Sequence, residues 1–199
     1  PVRGTAARDE WSPAVPSNPY AASKAAQEAF AISYWRSYGV PVVIVNAMNI
    51  LGERQAAEKY LPRLIRAVSR GETVQVHTGP QGVVGSRSYV HAANVADAIL
   101  FILRDTKVAA FPEQDRPSRY NLAGQEYIDN LQLAELVAGV LGRPLHYELA
   151  DSGRPGYDQH YGLAMDKLTG LGWKPSLGLR EGIERAVRWT AAHPEWMSE

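Results

Sequence analysis

The 199-residue chain contains no cysteine, which excludes disulfides, thiolate metal ligands and a cysteine nucleophile. Neither sign of charge is in excess: 21 Lys and Arg balance 21 Asp and Glu. That balance points to no nucleic-acid partner, and no polybasic run suits an anionic membrane surface. The longest apolar run, VPVVIV at 40–45, is far shorter than the roughly 20 residues of a spanning helix, so no membrane partner is expected. The histidines His77, His91, His146, His160 and His193 are too scattered for ligand spacing, and no metal is expected. No signal-peptide pattern opens the chain, and a cytoplasmic location is expected. An initiating methionine is lacking as well. Pro1 leads into a polar, Pro-containing stretch with no early strand, as in a processed chain or a piece of something longer.

What is present is an ordinary globular composition, 45% hydrophobic and 21% charged, with length enough for a sizeable core. Strand and helix patterns alternate. VPVVIVNAMNI (40–50) reads as a strand buried on both faces, the mark of a parallel sheet covered by helices. AAEKYLPRLIRAVSR (56–70) has helical periodicity broken by Pro62, and TVQVHT (73–78) alternates as a half-buried strand does. SRSYVHAANVADAILFILRD (86–105) reads as a strand running into a helix, and SRYNLAG (118–124) as a short strand. IDNLQLAELVAGVLG is a helix with Asp129 as N-cap and Gly142 at its end. LHYELA (145–150) is a strand, followed by a short helix at 165–171 and an amphipathic closing helix. The alternation predicts an α/β fold.

PSNPYAASKAAQEAF, residues 16–30, is the stretch with chemical interest. Pro16, Asn18 and Pro19 resist helix, whereas Ala21 to Phe30 favours it, which puts Tyr20 and Lys24 at i and i+4 on one face. In a chain with ten tyrosines, the spacing alone also fits an amphipathic helix whose Tyr packs and whose Lys is solvated. GPQGVVG (79–85) fits a G-x-x-G-x-x-G template but lies between two strands, with Pro80 inside it. A cofactor loop joins a strand to a helix N-terminus, so this segment is read as a hairpin loop.

Taken together, the segments resemble the extended short-chain dehydrogenase/reductase family, its NAD-dependent epimerases and dehydratases, over nearly the whole chain. NPYAASK is similar to the family's Tyr-x-x-x-Lys segment, VNAMNILGE to the strand ending in an Asn-containing turn, and EKYLPRLI to a segment lying along the nucleotide. SRSYVHAANVADAI, YNLAG, RPGYD and LGWKP follow in family order; RPGYD favours the nucleotide-sugar dehydratase branch over the galactose-epimerase branch. The resemblance implies the carboxyl-terminal part of a Rossmann-type doubly wound sheet plus a small α/β substrate-binding domain. Residues 1–50 and 87–124 would belong to the first, and 51–86 and 125–199 to the second.

The resemblance implies NAD as cofactor and a dTDP- or UDP-linked hexose as substrate. Tyr20 would be the base that takes the sugar hydroxyl proton, and Lys24 its activator and a ribose contact. Free tyrosine, with a pKa of roughly 10, needs roughly 4 kcal/mol of phenolate stabilisation to work near pH 7. A neighbouring ammonium and the cationic nicotinamide ring supply charge of the right sign. By the same resemblance Asn49, Lys59, Leu61, Arg87, Asn121, Arg154 and Tyr157 would contact the nucleotide sugar, with Arg87 clamping the diphosphate. Asn49 also fits a turn-forming residue before Gly52, and Lys59 and Leu61 a surface Lys beside a core Leu. Tyr157 stands where His is commonest. Ser88 and Leu51 replace the usual Asp and Tyr, and no acidic pair follows Tyr89–Val90. The resemblance also implies an amino-terminal Rossmann half carrying the glycine loop, and a homodimer through the Tyr20 helix. A non-catalytic nucleotide-sugar-binding fragment or partner chain, and a 4-epimerase or decarboxylase, are the alternatives.

Overall fold

The computed structural model describes residues 7–79, 82–105, 115–151, 153 and 162–198. Its elements run α1 (Pro19–Tyr38), β1 (Val43–Ala47), β2 (Ile50–Leu51), α2 (Tyr60–Arg70), β3 (Val74–Thr78), β4 (Ser86–Arg87), β5 (Val90–His91) and α3 (Ala92–Asp105). Then come β6 (Ser118–Leu122), β7 (Ile128–Asp129), α4 (Asn130–Leu141), β8 (Tyr147–Asp151), α5 (Asp166–Gly170), α6 (Leu179–Ala192) and a 3-10 turn (Pro194–Met197).

Among the described residues the strands pair two by two. β1–β6, β2–β5 and β3–β8 are parallel, and β4–β7 is antiparallel. Two apolar clusters organise the molecule. One gathers α2, α4 and α6 with β3 around Ile65, Val76, Leu133 and Ile183. The other packs α3 and β6 with Leu168 and Trp173. In α2, Leu61, Leu64, Ile65 and Val68 fall on one side of the helix and are buried, each contributing about 1.5–3 kcal/mol against exposure. Pro62 does not break this helix, contrary to the sequence expectation. α2 starts at Tyr60, so Pro62 lies in the first turn, where its missing N–H costs no helical bond.

β1 departs from expectation too. Val43 to Asn46 are only half-buried, because β6 is the one strand paired with β1 among the described residues. Other expectations hold in detail. Asp129 caps α4 by accepting from the N–H groups of Leu131 and Gln132, Gln132 returns a capping-box bond, and left-handed Gly142 ends the helix. The GPQGVVG segment turns back on itself: Gly79 N–H donates to the Val83 carbonyl at 2.9 Å, and Thr78 bridges Val84 in antiparallel fashion.

The stretch before α1 is fastened to β6. Arg119 Nη1 donates to the Glu10 carbonyl at 2.5 Å, and Asn121 Nδ2 to the Arg8 carbonyl at 2.9 Å. The Arg8 N–H donates to the Gly162 carbonyl, and its own carbonyl also accepts from the Ala164 N–H at 2.8 Å. The segment carrying Trp173 is held against α3 by Trp173 Nε1 on Asp97 and by Leu177 on both ends of the Asn94 amide.

Candidate active site

The start of α1 follows from its residues. Asn18, extended at φ −156°, accepts from the Ala21 N–H at 2.9 Å, and Pro19 takes a position where an N–H would have no partner. Tyr20 and Lys24 therefore stand one turn apart. Lys24 Nζ lies 5.7 Å from the Tyr20 ring centroid and donates to Gln27 Oε1 at 3.1 Å. The Tyr20 ring is 71% exposed, open to an approaching ligand. Within α1 Trp35 alone is buried.

The β2–β5 ladder starts at Asn49, whose carbonyl accepts from Val90 N–H at 3.1 Å. It sets exposed Asn49 beside the strand that follows Arg87. Arg87 is half-buried in β4, with Nη1 donating to the Ser86 carbonyl at 2.7 Å. Lys59 is the residue before α2, exposed and paired with Glu58 at 3.3 Å.

Leu61 and Asn121 are placed in the interior and present no surface to a ligand. Leu61 packs in the larger apolar cluster. Asn121 is bonded to Arg8, its Oδ1 lies 3.5 Å from Asn46 Nδ2, and its N–H donates to Glu10 Oε1 at 3.2 Å. Arg154 and Tyr157 lie outside the described residues. A cleft of about 600 Å³ runs between α4 and α6 and is lined by none of the expected site residues.

Sequence reasoning passed over a buried polar group at the start of α3. His91 Nδ1 accepts from Ala93 N–H at 3.1 Å, which makes His91 a side-chain cap of the helix. Its Nε2 lies 3.3 Å from Glu53 Oε2, close enough for attraction but off the line of a good hydrogen bond. Glu53 Oε1 accepts from Arg185 Nε at 2.5 Å. Burial pushes the His91 ring below its ordinary pKa, Glu53 pulls it up, and Arg185 opposes protonation. For Glu53, burial raises the carboxyl. Its own backbone N–H, Arg185 and His91 outweigh that and hold it below the usual range. The signal available in the sequence was a polar side chain directly before an Ala-Ala helix start, where a cap belongs.

Parallel strand pairs with intervening helices make this an α/β protein of Rossmann type. Structural neighbours agree. dTDP-glucose 4,6-dehydratase from Streptomyces venezuelae, solved with NAD, superposes with a TM-score of 0.80 at 28% identity, covering 97% of this chain and 57% of that one. UDP-glucose 4-epimerase from Thermus thermophilus, also with NAD, gives 0.81 at 28% identity, covering 96% and 59%. Residues 2–123 match the NAD dependent epimerase/dehydratase family, and the chain belongs to it. It is 34% identical over 188 residues to dTDP-D-glucose 4,6-dehydratase of Bos taurus, covering 91% of this chain and 50% of that relative. The chain thus spans about half the length of the curated relatives it matches.

Proposed function

We propose that this chain is the carboxyl-terminal portion of an NAD-dependent nucleotide-sugar dehydratase/epimerase, closest in kind to a dTDP-glucose 4,6-dehydratase. The observation that carries this reading is the open Tyr20/Lys24 pair on a capped helix start, in a chain of this family. Tyr20 takes the proton of the sugar C4 hydroxyl, while Lys24 favours phenolate and holds the nicotinamide ribose. NAD, when bound, accepts the hydride. Asn49 and Arg87 bind the diphosphate of a dTDP- or UDP-linked hexose, Lys59 meets the nucleotide, and Arg154 and Tyr157 complete that site. For Leu61 and Asn121 the burial described above favours a supporting role.

GPQGVVG does not fit the cofactor pyrophosphate, because it closes a hairpin and does not open a helix. The glycine loop therefore belongs to an amino-terminal Rossmann half outside residues 1–199. That half joins 1–50 and 87–124, leaving 51–86 and 125–199 to hold the nucleotide sugar. The larger apolar cluster supports this division in part, being drawn from 51–86 and 125–199 apart from Tyr89, whereas Met165, Leu168 and Trp173 join the other cluster across it. α1 pairs two copies of the enzyme in the cytoplasm. Its Ala22, Ala26, Phe30, Ser33 and Ser37 are all exposed, a stripe of mostly small residues that permits close helix approach.

Residues 1–199 alone then bind no NAD and make no 4-keto sugar. Supplying the amino-terminal half in trans restores conversion of dTDP-glucose to its 4-keto-6-deoxy product. Submillimolar NAD affinity of the chain alone, measured by calorimetry, overturns the division. A 4-epimer as the product would select the second reading, which the fold supports as well, since dehydratase and epimerase superpose at 0.80 and 0.81.

A further inference from the structure

His91 stands where four elements meet. β5 carries it, its ring caps α3, the turn after β2 brings Glu53, and α6 brings Arg185. The packing leaves little slack. A Cβ added at Gly182 of α6 would stand 3.3 Å from the His91 Cβ and Cδ2, and one at Gly52 3.7 Å from Nε2. The same turn holds Arg54 in the left-handed region at φ 61°, with its guanidinium 5.2 Å over the Trp189 ring. A non-glycine residue keeps such a conformation only where its surroundings over-determine it.

We propose that His91, Glu53 and Arg185 form an acid-released latch that fastens the turn after β2 and the start of α3 to α6. The latch is closed with the ring neutral and the carboxylate charged. Nδ1 must carry a lone pair to accept the Ala93 N–H, so the proton sits on Nε2, toward Glu53. A second ring proton goes onto Nδ1 and confronts one N–H with another. It also adds positive charge at the positive end of α3, in a side chain only 2% exposed.

The remaining charged groups around the ring do not supply a substitute partner. Glu126 borders the same small crevice. Asp97, further along α3, accepts from Trp173. On α6, Glu184 is paired with Arg180 and Arg188, and Glu181 is exposed. Among the described residues Glu53 is the carboxylate paired with the ring, and Arg185 already engages it.

Release follows protonation of either group. A second proton on the ring costs α3 its cap. A proton on Glu53 frees Arg185. The sign is the same for both groups. The folded pKa of His91 is depressed, so its contribution is intact above the ordinary histidine pKa of about 6.5 and falls as pH drops below it. Glu53 is also depressed, and its contribution is lost as pH falls through its folded value. Because β2 pairs with β5 through Leu51 and His91 themselves, release loosens the ladder that begins at Asn49. This inference stands on the geometry of the latch and does not depend on the nucleotide-sugar reading.

The test is imidazole ¹⁵N NMR and amide hydrogen exchange on the full chain between pH 8 and pH 4.5. His91 is expected as the Nε2–H tautomer at pH 7, with a midpoint below about 6.5. Opening of the Ala93 amide, corrected for intrinsic exchange, should rise at least about threefold across the ring's own titration. His91→Asn keeps a capping oxygen without a titrating group, so it should retain protection at neutral pH and lose its pH dependence. Glu53→Gln removes the carboxylate paired with the ring and should lower the ring's midpoint further. A ring that titrates at or above its ordinary midpoint overturns the proposal. So does Ala93 protection that ignores pH in the parent, or that follows pH equally in His91→Asn. Should His91→Asn fail to fold, a midpoint unchanged or raised by Glu53→Gln overturns it instead.

Discussion

Asn121→Leu separates a residue that holds the fold from one that holds a ligand. The side chain is fully buried, and leucine keeps its branch at Cγ but is bulkier, so it overpacks the site at about 1–3 kcal/mol. Polar groups change as well. The substitution removes the Nδ2 donor bonded to the Arg8 carbonyl at 2.9 Å and the Oδ1 acceptor 3.5 Å from Asn46 Nδ2. The second separation is at the outer limit of a hydrogen bond, so the first carries most of the effect. Losing one such bond costs about 1 kcal/mol, while the Arg8 carbonyl keeps the Ala164 N–H at 2.8 Å. Added apolar burial offsets part of these costs, leaving a net loss of about 1–3 kcal/mol. Urea unfolding of the full chain should show a lower midpoint with an unchanged slope. Asn121→Asp should cost more, because it buries a charge and turns the donor into a second acceptor facing Arg8. A leucine variant within about 0.5 kcal/mol of the parent would refute the reasoning. Weakened nucleotide-sugar binding at unchanged stability would return Asn121 to the ligand.

Three further substitutions test the rest. In the complete enzyme Tyr20→Phe should leave nucleotide-sugar affinity nearly intact and reduce turnover by orders of magnitude; a change of less than about tenfold removes Tyr20 as base. Arg87→Ala should act mainly on affinity, since a diphosphate clamp is made in ground and transition states alike; unchanged dTDP affinity by calorimetry takes Arg87 out of the site. Gly124→Ala places a Cβ 2.1 Å from the Tyr89 carbonyl oxygen, where backbone itself must move. It should destabilise by about 3 kcal/mol or more, and a near-neutral melting temperature would mean the two strand ends lie further apart.

What the sequence made legible was local. The capping box of α4 is written in Asp129 and Gln132, three residues apart, and the Tyr20/Lys24 face needs only helical periodicity and a Pro-Ser-Asn-Pro approach. Pro62 was misjudged because a proline's effect depends on where the helix begins. The three residues before Tyr60 gave no sign that they stay outside it. The apolar pattern of β1 correctly marked a strand but overstated its burial. Apolar side chains on both faces report which surfaces can be covered, not what lies next to them.

Asn121 shows why the site was only half legible. Its partners Arg8 and Glu10 lie 113 and 111 residues away, so nothing in YNLAG itself tells a ligand contact from a structural tie. The distinction also has less force than it first has. Arg8 and Glu10 lead directly into the loop that ends in Asn18, the cap of α1. Arg119, two residues before Asn121, pairs with Glu28 on the same helix. β6 therefore grips α1 at two places, through the chain before its first turn and through its middle. Among the described residues little else holds the helix, with Trp35 its one buried residue and Phe30 66% exposed. A buried asparagine still governs where Tyr20 and Lys24 stand, because the strand carrying it fixes the helix that carries them.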